Sequence, residues 1–183
     1  METRTITVYT FDELPEDAKA RALSTLADVN VDYDWWQSTY ETIQTAGSCL
    51  GIDCTIEGFD LHHGTIDLRG TYSYRKGWRA ALRAEFGGDF GKRLERIGAD
   101  MQNAQRRLFY RATAALERPY YGREGTAYSA DNGCDDIIEP LRDFEHEALR
   151  LLRDEWEYLT SEEAIIEAIE ANKYDFDENG NLA

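Results

Sequence analysis

The sequence predicts an α+β fold: one domain over residues 1–183, with a small, mostly antiparallel sheet packed with about five helices, one of them long and central. Three observations carry this. Apolar and polar residues alternate at every second position around 5–10, 52–56 and 66–74, as half-buried strands require. Apolar residues recur at spacings of three and four across 90–108 and 141–156, as amphipathic helices require. Strands and helices do not follow one another regularly enough for a parallel sheet. A chain of 183 residues with 42% hydrophobic side chains can bury one sizeable core, which excludes a disordered or collagen-like polymer.

Thr5 to Thr10 set Ile6 and Val8 on one side and Thr5, Thr7 and Tyr9 on the other, the pattern of a first strand. Pro15 is tolerated at a helix start, and Glu16 and Asp17 suit its N-terminus, so a helix follows with Ala18, Ala22, Leu23 and Leu26 inward. Past a turn at Asn30, the spacing of Trp36, Tyr40, Ile43, Gly47 and Leu50 predicts a second helix from about Asp34. It puts Trp36 in the core and leaves Trp35 and Tyr33 open to stack on a base or sugar. Gly51 stops that helix. Ile52, Cys54 and Ile56, then Ile66, Leu68, Tyr72 and Tyr74, make a hairpin turning at His62, His63 and Gly64. Gly58 breaks the alternation before Phe59 and Leu61, which predicts a bulge.

Phe90, Leu94, Ile97, Met101, Ala104 and Leu108 form one unbroken stripe, the long helix. Residues 110–130 read two ways: the Ala-rich run from Arg111 to Leu116 could prolong the helix, while Pro119, Tyr120 and Tyr121 look like a strand. A third hairpin or an edge strand is the preferred reading. A loop over 131–136 contains Asn132-Gly133, and Leu141, Phe144, Ala148, Leu151, Leu152 and Trp156 give the next helix its inward face. Thr160 with Glu163 reads as a capping box opening a last helix, with Ile165, Ala168 and Ile169 inward.

The net charge of −16 is unevenly spread. Residues 1–68 carry 3 basic and 13 acidic side chains (−10), 69–123 carry 13 and 5 (+8), and 124–183 carry 4 and 18 (−14). Direct nucleic-acid binding is not expected of so acidic a chain, because phosphates call for cations. Three readings of the pattern compete. The acids can be a solvated surface that also neutralises the basic centre, within one molecule or across a homodimer. Alternatively Asp28, Asp32, Asp34 and Glu41, or Asp135, Asp136, Glu139 and Asp143, face outward as a phosphate-like array that attracts a basic nucleic-acid-binding protein. In the third reading Arg93, Arg96, Arg107 and Arg111 share one flank of the long helix, roughly 60° wide at 100° per residue, as a DNA-binding strip.

Motifs for chemistry are sparse. Gly87 to Arg93 lacks the spacing and the Ser or Thr of a phosphate loop. Cys49 and Cys54 with His62 and His63 read as core cysteines and a turn of histidines, not a zinc site. Asp175 to Leu182 copies the opening of a calcium loop without its closing glutamate, so Asn179-Gly180 reads as a tight turn. No Ser or Cys nucleophile has a motif around it, and no carboxylate pair stands out. The chain is therefore expected to be no enzyme and to hold no cofactor or metal. The rival enzyme reading uses one acid of raised pKa, Glu41 or Asp67, beneath the aromatic cluster. No apolar run nears the roughly 20 residues of a spanning helix, and Met1-Glu2-Thr3-Arg4 opens no signal-peptide core. Cys49, Cys54 and Cys134 are too few and odd in number for a disulfide framework, so a cytoplasmic protein is expected.

Five strings run together along nearly the full length: Val8-Tyr9-Thr10-Phe11-Asp12-Glu13-Leu14, Val31-Asp32-Tyr33-Asp34-Trp35-Trp36, Gly70-Thr71-Tyr72-Ser73-Tyr74-Arg75-Lys76-Gly77, Gln105-Arg106-Arg107-Leu108-Phe109-Tyr110 and Glu157-Tyr158-Leu159-Thr160-Ser161-Glu162-Glu163-Ala164. With them the chain resembles a family of acidic proteins of tailed phages and prophages, often labelled "antitoxin of toxin–antitoxin stability system". The resemblance carries no catalytic or metal-binding residues over. It implies a bacterial host cell and two kinds of partner, a cognate toxin or a defence effector. In the second case the protein is an anti-defence inhibitor, anti-CRISPR or antirestriction in kind, that mimics nucleic acid. The expectation is the second, with an antitoxin as the alternative.

Overall fold

The computed structural model describes residues 7–119, 124–131 and 133–183, with Arg107 placed by its backbone alone. They form an α+β fold of six α-helices and one four-stranded antiparallel sheet: α1 Glu16–Thr25, α2 Gln37–Leu50, β1 Ile52–Asp60, β2 Thr65–Ser73, α3 Trp78–Glu85, α4 Gly88–Gln105, β3 Thr113–Glu117, β4 Ala127–Ala130, α5 Ile138–Leu159 and α6 Glu162–Asn172. No helix among the described residues is long and apolar enough to cross a membrane. The elements divide into two compact units, one of residues up to 35 together with 154–183, the other of residues 36–153.

In the larger unit the strands pair in chain order, β1-β2-β3-β4, although α3 and α4 lie in the connection between β2 and β3. The first hairpin follows its sequence pattern: Ile52 faces Tyr72, Asp60 faces Thr65, and the register shifts between Ile56 and Gly58, where the bulge is expected. Ile52, Cys54, Ile66, Leu68, Tyr72, Ala114 and Leu116 are buried on one face of the sheet. The Ala-rich run, which could have prolonged the helix, is instead a strand: Ala114 to Glu117 pair with Ala130 to Ala127, so 110–130 holds a hairpin, but on this run and not on Pro119, which lies past the end of β3. Tyr120 and Tyr121 lie outside the described residues.

The helix α4 ends at Gln105, short of the expected Leu108; a 3-10 turn over Arg106–Leu108 leads into Phe109 and Tyr110, both left-handed at φ 53° and 61°. Its stripe ends on Gln105, which is fully buried, and not on half-buried Ala104; the Gln105 amide donates to the buried Tyr72 hydroxyl. The longest helix is α5, at 22 residues against 18 for α4. Close packing is enforced at Gly98, where a Cβ would stand 2.4 Å from the Trp78 ring and 2.8 Å from Leu50. That Trp78 belongs to α3, which the apolar spacing of the sequence does not announce. Its eight residues carry only Trp78 and Leu82 as buried anchors, too few to form a pattern.

The smaller unit has its own core, made of Phe11, Leu14, Ala18, Ala22 and Leu26 with Ile165, Ile169 and Phe176. Several expectations change here. The described part of the first strand makes only an isolated bridge, Tyr9 to Phe176, and leaves Val8 47% exposed, because it pairs with the carboxyl tail and not with the sheet. Trp35 is buried, while Trp36, expected in the core, is half-buried at the start of the larger unit with its ring edge-on to Phe59 at 5.8 Å. Trp156 is 42% exposed, not inward. The cap of α6 is Ser161, whose hydroxyl accepts from the Ala164 N–H at 3.3 Å; Thr160, the expected cap, donates instead to the Trp156 carbonyl. The carboxyl tail is the expected turn. Asp177 accepts from the backbone N–H of Asn179 and Asn181 and from the Asn181 amide, with Gly180 at φ 84°.

Candidate functional site

The eight acids expected to face a partner fall into two sets with different fates. Asp28, Asp32 and Asp34 are exposed between α1 and α2 in the smaller unit, whereas Glu41 is exposed on α2 in the larger one. The second set comes together. Asp135 and Asp136 open the 3-10 turn that leads into α5, and Glu139 and Asp143 follow on α5 one turn apart. At 1.5 Å rise per residue, four positions put these two carboxylates about 6 Å apart along one helix face.

Two adjoining depressions record the grouping. One, of about 310 Å³, is lined by Asp100, Asp136, Glu139, Pro140 and Asp143. The other, of about 480 Å³, is lined by Asp135, Ile138, Glu139, Arg142, Asp143 and His146. Asp100 comes from α4 and was not among the expected residues. Its neighbours Ile97 and Met101 point into the core, and nothing local announces that its flank faces the start of α5. None of these five carboxylates takes part in an ion pair among the described residues. Asp135, Asp136 and Glu139 gain from the helix N-terminus behind them. Asp100 and Asp143 have no such reason to be there.

The expected basic strip does not form on one helix. Arg93 is committed to Glu147 of α5 at 2.7 Å, Arg96 is exposed on α4, and Arg107 and Arg111 fall beyond the end of α4 because the chain leaves the helix at Gln105. Other cations of the basic segment are also spent locally: Arg83 on Glu95, Lys92 on Asp89, and Arg69 on Glu57 and Asp67. Charge is thus neutralised in part within the larger unit, while exposed Arg75, Lys76, Arg79, Arg96, Arg106, Arg111 and Arg118 make no ion pair among the described residues.

Glu41 lines a separate cleft of about 770 Å³ with Asp53, Arg75, Glu85, Cys49 and Cys54. Burial pushes the Cys54 thiol up to about 11, with Asp53 adding to it, and also raises Cys49. Both stay protonated at neutral pH, so the cleft holds no activated sulfur nucleophile. Asp67 is occupied, accepting the Gly125 N–H at 2.6 Å. Burial lifts the carboxyl of Glu145, which accepts from the Tyr128 hydroxyl. Sequence reasoning missed it, since its burial comes from packing of α5 and not from its neighbours in the chain. Among the described residues, the donors of Asp60, His63 and Glu124 come close enough together to hold a metal ion. No family model, curated protein or solved structure matches the chain.

Proposed function

We propose that the protein is a non-enzymatic acidic binding protein whose surface at the start of α5 occupies the nucleic-acid groove of a basic host protein. Its setting is the phage or prophage one that the sequence resemblance implies, and its partner is a defence effector. The observation that supports this reading is the convergence of Asp100, Asp135, Asp136, Glu139 and Asp143 without an ion pair among the described residues. Holding like charges together costs free energy in the free protein, and a cationic groove relieves that cost while speeding the encounter. The net charge of −16 disfavours a direct contact with DNA. An antitoxin acting on a basic toxin uses the same surface and differs only in the partner.

The test is recovery of partners from a bacterial host that expresses its defence and toxin loci, at low and high salt. The wild-type protein is expected to retain a stoichiometric basic nuclease, effector or toxin that is released as salt rises, because exposed charges are screened. Replacing Asp135, Asp136, Glu139 and Asp143 by their amides is expected to weaken that complex on the order of tenfold or more with the fold intact. Undiminished affinity in the fourfold variant rejects this surface.

A further inference from the structure

The tip of the first hairpin is built with more care than a solvent-facing turn needs. Asp60, the last residue of β1, directs Oδ1 at two backbone donors, the N–H of His62 at 2.7 Å and of His63 at 2.9 Å. Those bonds fix the carboxylate plane, and Oδ2 is left 2.7 Å from Nδ1 of His63. The His62 ring stands edge-on to the His63 ring at 5.0 Å.

A second carboxylate arrives from elsewhere in the chain. Glu124 precedes β4, and the residues after it are clamped to β2: Gly125 N–H donates to Asp67 at 2.6 Å, while Thr126 Oγ1 donates to the Ile66 carbonyl at 3.0 Å and accepts from the Leu68 N–H at 2.9 Å. One donor atom from each of Asp60, His63 and Glu124 then lies within 4.8 Å of the others. No lysine or arginine pairs with Asp60 or Glu124 among the described residues. Two carboxylates are therefore held beside one imidazole with no fixed cation between them. The group is open to solvent, since the side chains of His63 and Asp60 are 66% and 36% exposed.

We propose that Asp60, His63 and Glu124 bind one divalent transition-metal ion of borderline softness, of which zinc is the type. One imidazole and two carboxylates form a nitrogen–oxygen donor set suited to such ions, and three protein ligands leave room for water. Metal–donor distances of about 2.0–2.2 Å put donors roughly 3–4 Å apart, so side-chain rotation alone brings the three into range. Asp60 reaches the site already oriented by the backbone, an arrangement that reduces the ordering cost of binding. The ion ties the β1–β2 tip to the segment leading into β4.

The experiment is calorimetric titration of the reduced full-length protein with zinc alone, with the visible spectrum of the cobalt(II) adduct as a second readout. One equivalent is expected to bind, and His63→Ala and Glu124→Gln are each expected to weaken it at least tenfold, while His146→Ala leaves it unchanged. Circular dichroism of the variants, whose altered side chains are exposed, reports that the fold is retained. The cobalt adduct is expected to show ligand-field bands without a thiolate charge-transfer band. No binding by the wild type overturns the proposal, as does affinity within twofold of wild type in His63→Ala. A thiolate band overturns it too, since the metal then sits on a cysteine.

Discussion

Burial lifts the Glu145 carboxyl above the usual carboxylate range, although the Tyr128 hydroxyl that donates to it pulls the other way. The same contact, with burial as the larger cause, pushes the Tyr128 hydroxyl up. A raised carboxyl keeps its proton in the folded protein over a range where the unfolded chain has lost it. Its contribution therefore favours folding at low pH and falls as pH rises from the unfolded value of about 4.3 to the folded one. Glu145→Gln resembles the protonated form and removes that slope. Urea unfolding at a series of pH values is expected to give a wild-type curve that loses stability relative to the variant through this window, then runs parallel to it. A difference that grows in the opposite sense contradicts the assignment. The residue-scale features were unequally legible in the sequence. Cys54 alternates inward and is buried as its position foretells, but Glu145, Gln105 and Asp100 take their environments from elements more than 15 residues away in sequence.

At the scale of elements, local chemistry decides where segments start and stop. The sequence Thr160-Ser161-Glu162-Glu163 offers two caps for α6, and the backbone takes the second: Ser161 is extended at φ −70°, ψ 151° and its hydroxyl meets the Ala164 N–H. Thr160 is still part of the exit from α5 and bonds backward to Trp156. Ser161→Ala is expected to cost about 1 kcal/mol, the usual worth of a cap, and Thr160→Ala clearly less. Thermal or urea unfolding of the two variants checks this, and equal losses contradict it. The first hairpin was legible because alternation, a turn and a bulge-forming glycine agreed with one another. The α3 helix was not, with two buried anchors in eight residues, and Thr113 to Glu117 was ambiguous because alanine suits either structure until β2 lies beside it.

Across the whole molecule, the two compact units draw on the chain differently. The larger is continuous from 36 to 153 and contains every strand of the sheet; the smaller joins two segments, and its core needs both Phe11 and Phe176. Limited proteolysis is expected to trim the segments before 36 and after 153 first and to leave a resistant fragment spanning the sheet. Early cleavage within β1 to β4, with the flanking segments intact, contradicts this. The quartet Asp135, Asp136, Glu139 and Asp143 lies wholly within that fragment. Its grouping was legible from the closeness of the four acids along the chain, whereas the dispersal of Arg93, Arg96, Arg107 and Arg111 depended on where α4 ends.

The split construction of the smaller unit also sets an order of events during synthesis. Phe11, Leu14 and Leu26 leave the ribosome before the sheet, yet Ile165, Ile169 and Phe176, which cover them, are made only after the entire sheet. At about 5–20 residues per second, that interval lasts on the order of 10 s or more. The nascent chain thus carries an uncovered apolar segment ahead of β1 while β1 to β4 assemble behind it, and that segment stays without its core partners until α6 emerges.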